Sequence, residues 1–272
     1  MILKLPDQSI NLAPTKVMGI LNVTPDSFSD GGKYFSLDAA VKRATEMVAE
    51  GADIIDVGGE STRPGSTPVP AAEELKRIIP VIEQIAHIEN FRDAGCRHPR
   101  PFIPVSVDTR HPSVAKAAVK AGATIVNCVE KLGASMAKVV CESGAAVICR
   151  CRSKEDYERA VELVGDRERV LFDPMIGFGT SRAEDLELMA RIPDFSRFAP
   201  VVAAVSRKRI IRTLAGGENA SDRLGGSVGA AIWCALNGAA IVRVHDVKET
   251  SQALQLVNYM DFTAREKGTA IA

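Results

Sequence analysis

The stretch Ile103-Pro-Val-Ser-Val-Asp-Thr-Arg-His-Pro-Ser-Val-Ala-Lys-Ala-Ala-Val-Lys-Ala-Gly-Ala-Thr-Ile-Val-Asn127 carries one full period of a pattern that recurs along this chain. A largely apolar run, residues 103–107, ends on Asp108. A helical pattern over 112–121 follows, with proline in its first turn and Gly122 as its stop. A second β-branched run, 124–127, then ends on Asn127. Runs apolar at every position suit parallel strands covered on both faces. Proline is tolerated at the helix start because its missing N–H would have no intrahelical partner there.

The same grammar extends in both directions. Strands are expected at 16–21, 53–57, 103–107, 124–127, 146–149, 170–172, 201–205 and 240–244. Helical patterns occupy 37–50, 112–121, 134–143, 155–164, 183–191, 221–237 and 249–264; Ser221 is expected to cap its helix and Gly51 to stop the first. Eight strands alternating with helices predict an α/β fold, a (β/α)₈ TIM barrel. An open doubly wound sheet is the alternative. It lacks support because no strand runs into a Gly-x-Gly-x-x-Gly turn, and Gly177-Phe-Gly179 is too short to make one. Residues 1–14 turn around Pro6-Asp7-Gln8 and should form a short N-terminal β-hairpin closing the barrel's bottom; 90–101 reads as a polar surface insertion.

Composition fits this architecture. The 272 residues, 46% of them hydrophobic, suffice for one large core, and the expectation is a single domain, 1–272, with the barrel over about 15–263. Basic and acidic residues balance at 34 each, so no net field attracts nucleic acid or an anionic membrane. No membrane-length apolar run and no signal-peptide layout are present, which predicts a cytoplasmic protein. Cys96, Cys128, Cys141, Cys149, Cys151 and Cys234 are scattered among mostly apolar runs, as small core residues of a reducing compartment. Cys149-Arg-Cys151 has neither the spacing nor a nearby histidine for a zinc knuckle.

The chemical signal lies at the strand ends. The apolar runs deliver Asn22, Asp56, Asp108, Asn127, Asp173, Ser206-Arg-Lys208, and Arg243 with His245. In a parallel barrel all carboxyl ends share one rim, where active sites are built. Individually each has a plainer reading: Asp108 or Asp173 as a helix cap, Asn22 as a turn residue, Arg243 snorkelling, His245 at the surface. Their common topological position favours a site. Two long loops, 22–32 and 58–65, rich in Gly, Pro, Ser and Thr, have the character of lids.

Specific stretches resemble the dihydropteroate synthases, a pterin-binding family. Met18-Gly-Ile-Leu-Asn-Val-Thr-Pro-Asp-Ser-Phe-Ser-Asp-Gly-Gly32 and Gly51-Ala-Asp-Ile-Ile-Asp-Val-Gly-Gly-Glu-Ser-Thr-Arg-Pro-Gly65 are similar to that family's first two signatures. Val105-Ser-Val-Asp-Thr109, Asp173-Pro-Met-Ile-Gly-Phe-Gly179, Ser206-Arg-Lys208 and Arg243-Val-His-Asp-Val247 resemble later blocks, in the family's order. The resemblance implies a transferase of folate biosynthesis that joins a pterin diphosphate to p-aminobenzoate, the family being a sulfonamide target. It implies Asp108, Asn127, Asp173 and Lys208 at the pterin, and Asn22, Arg63, Arg243 and His245 at the diphosphate. Thr62, Pro64, Phe178, Ser206 and Arg207 would bound the p-aminobenzoate site, with Thr62 and Lys208 also counted among the catalytic residues. Mg²⁺ on Asn22 and a homodimer are implied as well.

The chain departs from the family's pattern at Cys128, Cys149-Arg150-Cys151-Arg152, Met175, Thr180 and Ala204, which are expected around the pterin pocket's walls and floor. Arg150 or Arg152 should add charge to its rim. These departures leave two other activities open: a paralogue with lost or altered reaction, and a pterin-dependent methyltransferase barrel. The second would not need Ser206-Arg-Lys208 or the two long loops.

Overall fold

The computed structural model describes residues 1–23, 37–60, 68–88, 102–128 and 130–266, with side chains to residue 260. A hairpin of β1 (Ile2–Lys4) and β2 (Ser9–Asn11) comes first. The elements β3 (Lys16–Asn22), α1 (Leu37–Glu50), β4 (Ile54–Gly58), α2 (Ala71–Ala86), β5 (Val105–Thr109) and α3 (Pro112–Lys120) follow. The chain continues through β6 (Ile125–Cys128), α4 (Ala134–Ser143), β7 (Ala146–Arg150), α5 (Lys154–Val164), β8 (Val170–Asp173), α6 (Arg182–Ala190) and α7 (Ile192–Ser196). It ends with β9 (Val202–Ala203), α8 (Arg209–Ala215), α9 (Leu224–Leu236), β10 (Ile241–Val244) and α10 (Val247–Glu266).

Strands β3 to β10 form one parallel sheet in the order β8-β7-β6-β5-β4-β3-β10-β9. A parallel bridge between Phe172 and Val201, with the Phe172 N–H donating to Pro200 O at 2.9 Å, brings β8 back to β9 and closes the cylinder. The expected (β/α)₈ barrel and its N-terminal hairpin are both present.

Period-two alternation divides every strand between two environments. One set, including Val17, Ile55, Val107, Val126, Val147, Phe172 and Val242, packs outward against helix residues such as Ala44, Ile82, Val114 and Tyr157. The other set faces the lumen: Met18, Ile54, Ile125, Ala146, Ile148, Leu171, Val202 and Ile241 fill its lower part. The hairpin adds Leu3, Leu5, Ile10 and Leu12 to this second cluster and so plugs the bottom, as expected from sequence. Continuing the same parity towards the strands' carboxyl ends places Asn22, Asp56, Asp108, Asn127, Arg150, Asp173, Arg243 and His245 on the lumen side.

Several element boundaries differ from the sequence expectation. Helix α2 occupies a stretch with no helix expected: Pro80 lies inside it, yet Ile78, Val81, Ile82 and Ile85 are buried against the barrel, and that burial offsets the lost backbone hydrogen bond. Ser221 does not cap α9. It sits within a 3₁₀ turn, Ala220–Arg223, capped reciprocally by Asn219 and Asp222, and α9 starts at Leu224. The seventh barrel strand is only Val202–Ala203, because regular pairing is confined to β10 and its other edge meets β8 by a single bridge. Both long loops beyond Val23 and Glu60, and the whole insertion at 90–101, lie outside the described residues.

Candidate active site

The floor of the barrel mouth is an ion cluster. Arg243 Nε lies 2.6 Å from Asp56 Oδ2, and Arg243 Nη2 lies 2.5 Å from Asp108 Oδ2. Asn127 Nδ2 donates to Asp56 Oδ2 at 3.2 Å. Asp56 is wholly buried, and Asp108, Asn127 and Asp173 nearly so. Burial pushes the Asp108 carboxyl up to about 6, against the pull of Arg243 and with the added repulsion of Asp56. The same burial works to lower Arg243, but its two carboxylate partners outweigh it and hold the guanidinium above its ordinary value. Such a cluster persists because each buried charge has an opposite partner in hydrogen-bond contact.

Asp173 closes the next edge. Its Oδ1 accepts the Met175 N–H at 2.8 Å, while Met175 takes a left-handed backbone (φ 66°) that a non-glycine residue rarely adopts. Asp185 Oδ1 accepts the Gly177 N–H at 2.7 Å and the Thr180 hydroxyl at 2.5 Å, holding the glycine-flanked Phe178 turn. The Phe178 ring has Lys208 Nζ 3.8 Å and Arg150 Cζ 4.0 Å from its centroid, both within cation–π range. Burial lowers the Lys208 ammonium to about 8; Arg243 and Arg150 push the same way and Asp173 opposes.

Beside this cluster opens a cavity of about 370 Å³. Ile20, Asn22, Phe178, Ala204, Ser206, Arg207, Lys208, Arg243 and His245 are on its wall, with Arg209 and Arg223 adding positive charge. Ser206 Oγ lies 3.1 Å from His245 Nδ1 and accepts the His245 backbone N–H at 3.2 Å, tying β9's exit to β10's. Arg207, at φ 58°, is fixed by its ion pair with Asp246 and by its N–H donating to Ser227 Oγ at 2.9 Å. A larger hollow of about 700 Å³ opens at the opposite end, bordered by Pro14, Lys16, Glu50, Asp53 and Lys248. It lies near the strands' amino ends, away from the convergent polar groups, and barrel chemistry belongs to the carboxyl ends.

The structure brings Asn22, Asp108, Asn127, Asp173, Phe178, Ser206, Arg207, Lys208, Arg243 and His245 to one mouth. Thr62, Arg63 and Pro64 lie outside the described residues. Asp56, a strand-end residue given no site role from sequence, is the residue that anchors Arg243 and Asn127. The departures from the family's pattern are not all in the pocket. Cys128 faces outward into the helix layer and donates its thiol to Glu130 O, because its parity is opposite to that of Asn127. Arg152 is exposed, Thr180 is committed to Asp185, and Cys149 and Cys151 pack in the outer core. Arg150 and Ala204 do reach the mouth.

Two places could hold a cation. Asn22 offers a hard carbonyl oxygen on the cavity wall; among the described residues its carboxamide makes no hydrogen bond, which suits a ligand whose other donors come from phosphate oxygens. Glu60, Glu74 and His111 bring ligand atoms within 4.8 Å of one another, but on the helix side of the barrel wall, where Arg110 already lies 3.3 Å from Glu60.

Comparison with known proteins agrees with this geometry. The chain matches the family described as pterin binding enzyme over residues 18–156 and 150–245. It is 38% identical to the dihydropteroate synthase of Escherichia coli (strain K12) over 274 residues, covering 92% of this chain and 93% of that one. Identity to the Bacillus subtilis (strain 168) dihydropteroate synthase is 40% over 266 residues, 90% of this chain and 88% of the relative. Xanthomonas albilineans dihydropteroate synthase with 4-aminobenzoic acid superposes with a TM-score of 0.84 at 37% identity, covering 96% of this chain and 98% of that chain. The same enzyme with 7,8-dihydropteroate gives 0.82 at 36% identity, with the same coverage. A closed parallel barrel whose mouth gathers these carboxylates and cations, matched along nearly its whole length, belongs to the pterin-binding enzyme family, among the dihydropteroate synthases.

Proposed function

We propose that this chain, as a single barrel domain, joins 6-hydroxymethyl-7,8-dihydropterin diphosphate to p-aminobenzoate, giving 7,8-dihydropteroate and diphosphate. The observation that carries the reading is the convergence of buried hydrogen-bond acceptors and cations at one barrel mouth, beside a cavity lined by Asn22, Lys208, Arg243 and His245. The pterin's amino group and adjacent ring N–H form a donor pair that the Asp173 carboxylate accepts in two-pronged fashion. Asp108 and Asn127 satisfy other ring atoms, and Lys208 supplies a cation. A ring lacking these groups would leave buried polar atoms unpaired, at about 1–3 kcal/mol each.

The diphosphate lies against Asn22, Arg63, Arg243 and His245. Nη1 of Arg243 has no hydrogen-bond partner among the described residues, which leaves a donor for an anion while Nε and Nη2 hold the acidic floor. The C–O bond between the pterin methylene and diphosphate breaks with the electron pair leaving on oxygen. The p-aminobenzoate nitrogen then attacks the methylene cation, forms the new C–N bond and loses a proton. Thr62, Pro64, Phe178, Ser206 and Arg207 bound that second substrate. Positive groups fixed before reaction lower the energy of the departing anion, since they need no reorganisation. Asn22 would hold Mg²⁺, which supplies further charge neutralisation at the diphosphate when bound.

Two broader readings accompany this one. A second copy of the chain fits the exposed apolar face formed by Trp233 and Leu236 of α9 with Leu256, Tyr259 and Met260 of α10. Gly225 and Gly229 on the same exposed side of α9 have open space above them, permitting close helix approach. A cytoplasmic location accords with the absence, among described residues, of any helix long and apolar enough to cross a membrane. The deciding assay mixes purified protein with the pterin diphosphate, p-aminobenzoate and Mg²⁺ and follows dihydropteroate. Product at a rate comparable with a reference synthase is the expected result; none under those conditions would leave the altered paralogue as the correct reading.

A further inference from the structure

The parity that gathers the carboxylates also brings in a side chain that the proposed reaction gives no part, Arg150. Ala146 and Ile148 of β7 face the lumen, so Arg150 takes the next inward position, in register with Asp173 on β8. Its guanidinium lies 4.0 Å from the Phe178 centroid, the ring that also carries Lys208 at 3.8 Å. Among the described residues it makes no hydrogen bond or ion pair, although Asp173 and Asp108 are close enough to favour its charge electrostatically. A half-buried guanidinium with its N–H donors uncommitted loses hydration without compensation unless a ligand accepts from it.

We propose that Arg150 is a specificity-determining contact for the bicyclic substrate, donating to the ring's acceptor edge, the carbonyl and neighbouring ring nitrogen, while Asp173 accepts from the adjoining donor edge. This rests on the pterin reading of the site. The planar fork suits two neighbouring acceptors, and stacking on Phe178 fixes its plane before the substrate arrives. Lys208, on the same ring, cannot replace it: its ammonium is a single point charge, whereas the guanidinium keeps its proton throughout the working pH range.

The test compares the wild-type protein with R150M and R150K by steady-state kinetics, and by calorimetric titration with 6-hydroxymethylpterin and with an analogue lacking the ring carbonyl. R150M should raise KM for the pterin diphosphate by about tenfold or more, the worth of a charged hydrogen bond, while KM for p-aminobenzoate stays within about twofold. It should also lose the wild type's preference for the carbonyl-bearing ring, and R150K should recover part of both. Unchanged pterin binding by R150M would overturn the proposal. So would equal weakening of both substrates with a lowered Tm, which would mark Arg150 as structural. Wild-type protein that binds no pterin would refute the underlying site reading, a separate and recognisable outcome.

Discussion

Asp173 and Lys208 are proposed to face the same ligand with opposite charge, and each makes a distinct prediction. In Asp173→Asn the amide can still accept the Met175 N–H, so the turn should hold. The second arm becomes a donor and opposes the substrate's own N–H. We expect pterin affinity to fall by roughly 100-fold or more with the far-UV circular dichroism unchanged. Normal pterin binding by this variant would remove Asp173 from the pocket assignment. Lys208 is held near 8 by burial, below its reference of 10.5. Its charged form is therefore lost as pH rises through about 8, and kcat/KM for the pterin diphosphate should decline above that point. Lys208→Arg, whose group does not titrate there, should extend the plateau to higher pH. A wild-type profile flat to pH 10 would contradict the role.

At the scale of elements, α2 illustrates how tertiary burial overrides a local signal. Pro80 argues against a helix there, but the stripe from Ile78 to Ile85 covers the barrel wall. The same helix buries Glu74 to 1% exposure. Burial raises that carboxyl to about 7 from 4.5, with Glu60 and Asp108 reinforcing it and the Thr109 hydroxyl opposing. A carboxyl raised in the folded state binds its proton more tightly there than in the unfolded chain. Its contribution is thus fully present below pH 4.5 and lost as pH rises through 7. Glu74→Gln should therefore be more stable than wild type at pH 8, on the order of 2 kcal/mol, with the two converging near pH 4.5. Urea denaturation at both pH values reads this directly; equal curves at pH 8 would reject it.

For the whole molecule, the apolar face of α9 and α10 predicts assembly. Leu236 is 64% exposed and Tyr259 70%, whereas most other large apolar groups among the described residues are enclosed. Leu236→Glu places a charge on that face without touching the core and should convert a dimer to a monomer in light scattering at micromolar concentration. A wild-type protein already monomeric under those conditions would refute the interface.

Much of this architecture is legible in the amino-acid sequence. Apolar runs with β-branched residues, separated by helical periods and punctuated by Gly51, Gly122 and Pro112, report the β/α alternation because neighbours in sequence encode it. The strand-end residues Asn22, Asp108, Asn127, Asp173, Arg243 and His245 were legible for the same reason: once the strands are placed, their carboxyl ends lie on one rim. The closure alone decided the rest. Asp56 and Arg243 are 187 positions apart and meet only because β4 and β10 flank β3 on either side in the cylinder. Inward parity, set by which face the core takes, brings Arg150 into the lumen and turns Cys128 away from the pocket, while the end of β7 at Arg150 leaves Arg152 exposed. The shifts at Asp108 and Lys208 likewise arise from burial among charges that the chain brings together across the lumen. Local periodicity is written in consecutive side chains, whereas the field at a site is a sum over distant ones, and only packing fixes those distances.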